Sequence, residues 1–208
     1  MELLTTSVAK SNVDDWKKLR RCISYLNQTV DNVRTIRVFN FTDLFAWVDV
    51  SYSVHTKMLS QTGGVISMGH RMLHCQPSKK NLNEKSLTGA ELIGTSEYIT
   101  FNVWMVMFLE AQVYDLKKNI IYQDVKSAIS MANNGRVSCT VNYRHINIRH
   151  LFVKDRVDKG EIEVKYCTTN MMIAEYFTKP LQGKMFKIFR DLIMGYVYIN
   201  DILQAIEL

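Results

Sequence analysis

Apolar residues recur at two spacings along the chain, and the switches between them outline its elements. Trp16, Leu19, Ile23 and Leu26 share one face of a helix over 13–27, with Lys17, Lys18, Arg20 and Arg21 on the others. Asp14 and Asp15 suit its N-terminus, where acidic side chains complement the helix dipole. Thr35–Phe41 and Phe45–Tyr52 are rich in β-branched and aromatic residues and read as strands. Thr62, Gly63 and Gly64 read as a turn, followed by strands at Val65–Met68 and, after Gly69, at Arg71–Cys75. Consecutive strands with tight connections predict a three-strand antiparallel meander. From Leu87 the period lengthens to that of a helix running to Ala111, apolar almost all round between Ile99 and Leu109. Asn119–Gln123 reads as a strand. Val125–Ala132 and Tyr143–Val157 read as helices, stopped near Asn133-Asn134-Gly135 and Lys159-Gly160. Glu161–Cys167 alternates like a strand, and Met171–Phe177 and Met185–Met194 close the chain as helices. This order is an α/β layout in which helical crossovers place the later strands parallel in the sheet.

Composition changes the picture only slightly. Across 208 residues, 47% hydrophobic and 22% charged residues are ordinary for a domain that buries a core. With 2 Pro and 9 Gly, long disordered linkers are not expected. A balance of 26 basic and 20 acidic residues leaves +6, which suits a polyanion partner without requiring one. Cys22, Cys75, Cys139 and Cys167 are far apart and form no CxxC pair, so a reducing compartment is expected rather than a disulfide framework. Met1-Glu2-Leu3-Leu4 lacks the basic start and apolar core of a signal peptide. No apolar run approaches the roughly 18 residues of a membrane span. Tyr98–Leu109 is the nearest; Asn102 interrupts it, and it reads as a buried helix. The expected location is intracellular, cytoplasmic or nuclear and not secreted, with no membrane partner.

Four stretches set one carboxylate among apolar neighbours: Phe45–Ser51 around Asp49, Leu87–Ile93 around Glu91, Ile121–Ala128 around Asp124 and Met172–Lys179 around Glu175. Carboxylates are rarely buried without a partner, so the pattern points to something positive between them, a pair of metal ions above all. They lie too far apart in sequence for one loop and need a sheet to gather them. Each has an ordinary reading as well. Asp124 at a strand end suits a turn, Glu91 suits an early helical position, and Glu175 suits a solvated helix face. Asp49 lacks any turn chemistry around it.

The local strings carry a resemblance. Asp124-Val-Lys-Ser-Ala-Ile resembles the DNQSAI string of copia-type retrotransposon polyproteins. Tyr143-Arg-His-Ile-Asn-Ile-Arg is similar to their TKHIDIR string, and Ile173-Ala-Glu-Tyr-Phe-Thr-Lys-Pro-Leu to their ADxxTKPL string. Asp15–Leu26 resembles the helix that precedes ribonuclease H in those polyproteins, at the end of the reverse transcriptase region. Ser60-Gln-Thr-Gly-Gly matches the family's hairpin turn, and Ser78-Lys-Lys its basic loop. The resemblance spans about residue 10 to residue 195 and implies a ribonuclease H-like mixed sheet, a three-strand antiparallel meander plus two parallel strands, flanked by helices. It implies that 1–40 is a remnant of the reverse transcriptase C-terminal region, 41–180 the ribonuclease H-like domain and 181–208 a helical tail. No polymerase core is expected, because the YxDD-type carboxylates are absent.

The resemblance also implies a chemistry: hydrolysis of the RNA strand of an RNA–DNA hybrid by two magnesium or manganese ions. Asp49 would bridge both ions, Glu91 would project from the long helix, Asp124 would lie at the end of the fourth strand, and Glu175 would hold the water-side ion. His145 would assist proton transfer or product release. Lys79, Lys80, Lys85, Arg144, Arg149 and Lys154 would contact phosphates, which position a nucleic acid rather than specify it. The upstream reverse transcriptase region would be a partner in an intact element. Departures from the family pattern favour weakened or lost activity. Glu175 stands where the family has Asp, DNQ reads Asp124-Val125-Lys126, STEAE reads Leu87-Thr88-Gly89-Ala90-Glu91, and HID reads His145-Ile146-Asn147. The competing readings are a non-catalytic nucleic-acid-binding remnant and a structural appendage of a longer polyprotein. A zinc site at His70, His74 and Cys75 falls short of four ligands. His150 reads as an ordinary helix-surface histidine, and Cys139 and Cys167 as structural.

Overall fold

Five strands lie side by side in one mixed sheet: Asp43–Ser51 (β1), Gln61–Met68 (β2), Arg71–Lys79 (β3), Lys118–Gln123 (β4) and Glu163–Tyr166 (β5), in the order β3-β2-β1-β4-β5. The computed structural model describes residues 8–36, 41–51, 60–68, 71–79, 87–134 and 144–198. β1, β2 and β3 pair antiparallel, as the meander predicts, while β4 pairs parallel with β1 and β5 parallel with β4. The crossovers are helical: Leu87–Ala111 (α2) returns β3 to β4, while Lys126–Asn134 (α3) and Arg144–Asp158 (α4) link β4 to β5. Glu175–Thr178 (α5) and Gly183–Met194 (α6) follow β5. This is the ribonuclease H-like arrangement that the element order implies.

Residues alternate across a strand, and β1 divides the core accordingly. Leu44, Ala46 and Val48 join Leu92 and Ile99 of α2 and Val153 of α4 in one apolar cluster. Phe45 and Trp47 point the other way, onto Ile173, Ala174, Phe189 and Leu192 around α5 and α6. Burying a sheet on both faces is what an α/β layout with helices on each side requires.

Val13–Gln28 (α1) belongs to a separate unit, 1–34, the remainder forming the unit 35–208. Its N-terminus is a capping box: Asp15 N–H donates to Asn12 Oδ1 at 2.9 Å and Asn12 N–H to Asp15 Oδ2 at 3.1 Å. Its apolar stripe of Trp16, Ile23 and Leu26 is exposed.

Several expectations need correction. Thr35 and Ile36 are not in a strand, Phe41 lies in a bend, and 37–40 lie outside the described residues. Gly63 and Gly64 are not a turn but sit inside β2; glycine within a strand marks a close approach by another element. A Cβ on Gly63 would stand 2.5 Å from the backbone oxygen of Ala174, and one on Gly64 would stand 1.9 Å from the Tyr98 ring. The absent side chains let α5 and α2 close on opposite faces of β2. His150 is buried, not on the surface, and its Nε2 lies 2.8 Å from the Met131 carbonyl oxygen. α2 is buried over its first half, but Trp104, Met107 and Phe108 in its second half are exposed. Length and composition make α2 apolar enough to cross a membrane, with half of that window buried inside the fold. Asn102 is the polar break in it, and its Oδ1 accepts from Asn119 Nδ2 of β4 at 2.8 Å.

Candidate metal centre

Parallel pairing of β1 and β4 brings the first two carboxylates together. Trp47 pairs with Tyr122, so two residues onward Asp49 and Asp124 sit side by side near the carboxyl ends of their strands. That edge of a parallel pair is the usual place for a binding site in an α/β sheet. Glu175 arrives from the other side of the sequence. Ile173 and Ala174 are fully buried against the Trp47 side of the sheet, and they pin the first residue of α5 over β1. Gln61 Nε2 donates to the Phe177 carbonyl at 2.6 Å and ties α5 to β2. One carboxylate oxygen from each of Asp49, Asp124 and Glu175 lies within 4.8 Å of the others.

Glu91 is not one of the three whose ligand oxygens lie within 4.8 Å of one another. It is on α2, which packs against the Leu44-Ala46-Val48 face, opposite to the face that carries Phe45, Trp47 and, by alternation, Asp49. Its Oε1 accepts the backbone N–H of Val50 at 3.2 Å, next in sequence to Asp49. The fold therefore brings three of the four carboxylates into one cluster and leaves the fourth anchored to the adjoining backbone.

Two residues that sequence reading does not single out complete the site. Thr178 donates its hydroxyl to Asp49 Oδ2 in a buried hydrogen bond. The Lys179 ammonium donates to Glu175 Oε1 and lies 3.7 Å from Asp49 Oδ1. Both stand in the Ile173–Leu181 string, so a signal existed. A hydroxyl and an ammonium following a short helix nevertheless look like ordinary end residues until the strand bearing Asp49 is placed beside them.

Burial pushes Asp49 up to about 6, against the Thr178 hydrogen bond and the Lys179 charge that lower it; Asp124 and Glu175 push it further up. Burial lowers Lys179, but its bond to Glu175 and the charges of Asp49, Glu175 and Asp124 outweigh that and leave it above its ordinary value. Asp124 Oδ1 is buried, and among the described residues no group donates a hydrogen bond to it. Three converging carboxylates with an oxygen in that condition suit a hard divalent cation, which takes oxygen ligands.

The remaining candidates fall outside this cluster. Arg149 is ion-paired with Glu97 at 2.6 Å and Lys154 with Asp158 at 2.6 Å. The side chains of Lys79, Arg144 and His145 and the whole of Lys80 and Lys85 lie outside the described residues. His74 stacks on Phe101, with ring centroids 4.3 Å apart, and His70 lies outside the described residues. Burial raises the Cys167 thiol to about 12, which removes it as a nucleophile near neutral pH.

Gly63 bears directly on the site, because it pairs with Asp49 and touches α5. Gly63→Ala is expected to push Ala174, and with it Glu175 and Thr178, away from β1. The expected loss is about 1–3 kcal/mol in urea denaturation, together with weaker manganese binding by titration.

No family model matches the chain. It is similar over most of its length to retrovirus-related Pol polyproteins of the copia type. Identity to that of transposon TNT 1-94 from Nicotiana tabacum is 22% over 187 residues, covering 86% of this chain and 13% of that protein. For transposon RE2 of Arabidopsis thaliana it is 25% over 178 residues, covering 85% and 12%. For the Ty1-DR5 Gag-Pol polyprotein of Saccharomyces cerevisiae it is 29% over 149 residues, covering 70% and 8%. The chain thus spans a small fraction of the length of these relatives. Among solved structures, the N-terminal ribonuclease H domain of a Mycobacterium tuberculosis protein aligns with a TM-score of 0.49 at 9% identity, covering 75% of this chain and 99% of that one. LC11-RNase H1 in complex with an RNA/DNA hybrid aligns at 0.44 and 13% identity, covering 62% and 88%.

Proposed function

We propose that this chain, similar to copia-type Pol polyproteins over most of its length, carries a ribonuclease H-like domain that hydrolyses the RNA strand of RNA–DNA hybrids with divalent cations. The carrying observation is the cluster of Asp49, Asp124 and Glu175, whose ligand oxygens lie within 4.8 Å of one another. In this reading those three residues hold magnesium or manganese. When bound, such ions activate water and relieve charge on the departing oxygen. Asp49 would be shared by two ions, because its oxygens lie close to both Asp124, just past β4, and Glu175, at the start of α5. Thr178 orients it by holding Oδ2. A second ion would draw on Glu91, whose Oε1 accepts the Val50 N–H in its absence. His145 serves proton transfer or product release. Lys79, Lys80, Lys85, Arg144, Arg149 and Lys154 contact phosphates, the last two after exchanging their carboxylate partners; exposed ion pairs of that kind are worth little, so the exchange costs little.

Lys179 supports a second reading, a hybrid-binding remnant without cleavage, because the ammonium already satisfies part of the acidic cluster. The two separate in one assay. Purified protein is expected to cut the RNA of a hybrid in magnesium, to leave single-stranded RNA and duplex DNA intact, and to stop on chelation. Hybrid binding that depends on salt and survives chelation, with no cleavage in magnesium or manganese, would establish the remnant instead.

A further inference from the structure

Lys179 is the only basic residue among the described ones with an ion pair to the carboxylate cluster, and it reaches two of its members. Its ammonium bonds Glu175 Oε1 and stands 3.7 Å from Asp49 Oδ1. The charge of Asp124 also acts on Lys179, yet the buried Asp124 Oδ1 receives no hydrogen bond from any described residue. The cluster thus holds both a tethered cation, bonded to Glu175 and beside Asp49, and an Asp124 oxygen suited to a metal. Charge counting agrees. Ionised Asp49, Asp124 and Glu175 carry three negative charges. Lys179 cancels one, and the two left over match a single divalent cation. Two divalent ions beside an unmoved ammonium would bring five positive charges against those three, or against four with Glu91 turned in. Like charges packed a few ångströms apart in a partly dry site repel strongly.

We propose that Lys179 stands in for the second cation in the free protein, so that the centre takes one divalent ion and admits another only when Lys179 swings out. The inference rests on the metal-dependent reading above and adds an occupancy rule to it. Lys179 is suited to such movement. Its side chain is 40% exposed, and its flexible stem lets the ammonium leave for water without disturbing α5. Arrival of a phosphodiester supplies both an anionic partner for the released ammonium and further oxygen ligands for a second ion. Lys179 is then a positioning residue that sets the order in which cations and substrate assemble.

Counting bound manganese tests this without any reference to cleavage. The full-length protein is titrated with Mn²⁺ in the absence of nucleic acid, and free Mn²⁺ is followed by its electron paramagnetic resonance signal. Wild type is expected to bind one ion. Lys179→Met is expected to bind two, the first roughly tenfold more tightly than in wild type, since one unit of opposing charge is gone. Lys179→Arg keeps the charge and is expected to return the count to one. Circular dichroism confirms that each variant is folded, and Lys179→Gln, which also removes the charge and is likewise expected to bind two ions, carries the test if the Met variant is not. Two ions in wild type, two in the Arg variant, or one in a folded Met or Gln variant would overturn the role of Lys179 and leave the metal-dependent reading standing. No ion in any of these proteins would overturn both.

Discussion

Asp49→Asn is expected to unfold at a higher temperature than wild type while losing hybrid cleavage by about a thousandfold or more. The two effects have one cause. Asp49 is almost completely buried, and burial lifts it to about 6 from an ordinary 3.8. Between those values the folded state binds more protons than the unfolded state, so stability falls as pH rises from about 4 to about 6. The fall is on the order of 3 kcal/mol for a shift of this size. At neutral pH the charged carboxylate is a liability to the fold, and an amide of the same shape removes it. Asn can still accept the Thr178 hydroxyl. The expected gain is about 1–3 kcal/mol at pH 7 without divalent cations, and the acid-side slope should flatten in the variant. A thermal or urea denaturation series from pH 4 to 8 checks it. On the proposed function, cleavage would be lost because a metal ligand worth several kcal/mol in the transition state disappears. Added magnesium should stabilise wild type by mass action and leave the variant unchanged. A variant that is less stable than wild type at every pH would show that the carboxylate serves packing rather than function.

Gly64→Ala is the second large effect, this time on folding alone. A Cβ there would stand 1.9 Å from Tyr98 Cε2 and 2.4 Å from two further ring atoms. Tyr98 lies in the core between β2 and α2, beside Phe101 at a ring-centroid distance of 6.2 Å. Tyr98 is buried, so the ring can make room only by displacing its neighbours in that core. The expected cost is about 3 kcal/mol, at the upper end for overpacking. Tyr98→Leu should relieve the clash. In a double-mutant cycle the pair should therefore be more stable than the sum of the single changes by about 1–3 kcal/mol. Additive effects in urea denaturation would mean that the ring moves freely. The contrast with Gly63 is informative: the two adjacent glycines face opposite sides of β2, so one change loosens α5 and the candidate site while the other strikes the α2 core.

Much of the architecture is legible in the residues themselves. The β-branched and aromatic content of Phe45–Tyr52, the change to helical spacing at Leu87, and the apolar run before Asp124 place β1, α2 and β4 within a residue or two, because local pattern and burial agree there. The turn reading at Thr62-Gly63-Gly64 fails for a physical reason. Glycine permits both a tight bend and a close contact, and nothing local distinguishes them. His150 fails similarly: an imidazole on a polar helix reads as exposed until the Met131 carbonyl supplies its hydrogen-bond partner. The exposed half of α2 is the converse case, since an all-apolar helix gives no face to orient.

The element order and the four stretches that place a carboxylate among apolar residues are written in the chain, because they follow from spacing within single segments, and the mixed sheet follows from tight turns early and helical crossovers late. Which carboxylates meet is a matter of folding. Strand register set Asp49 beside Asp124, the buried Ile173–Ala174 pair carried Glu175 and Lys179 to them, and packing on the opposite face left Glu91 on the Val50 backbone. These are contacts between residues far apart in sequence, and their geometry follows from how the two faces of one sheet are covered, which no local pattern encodes.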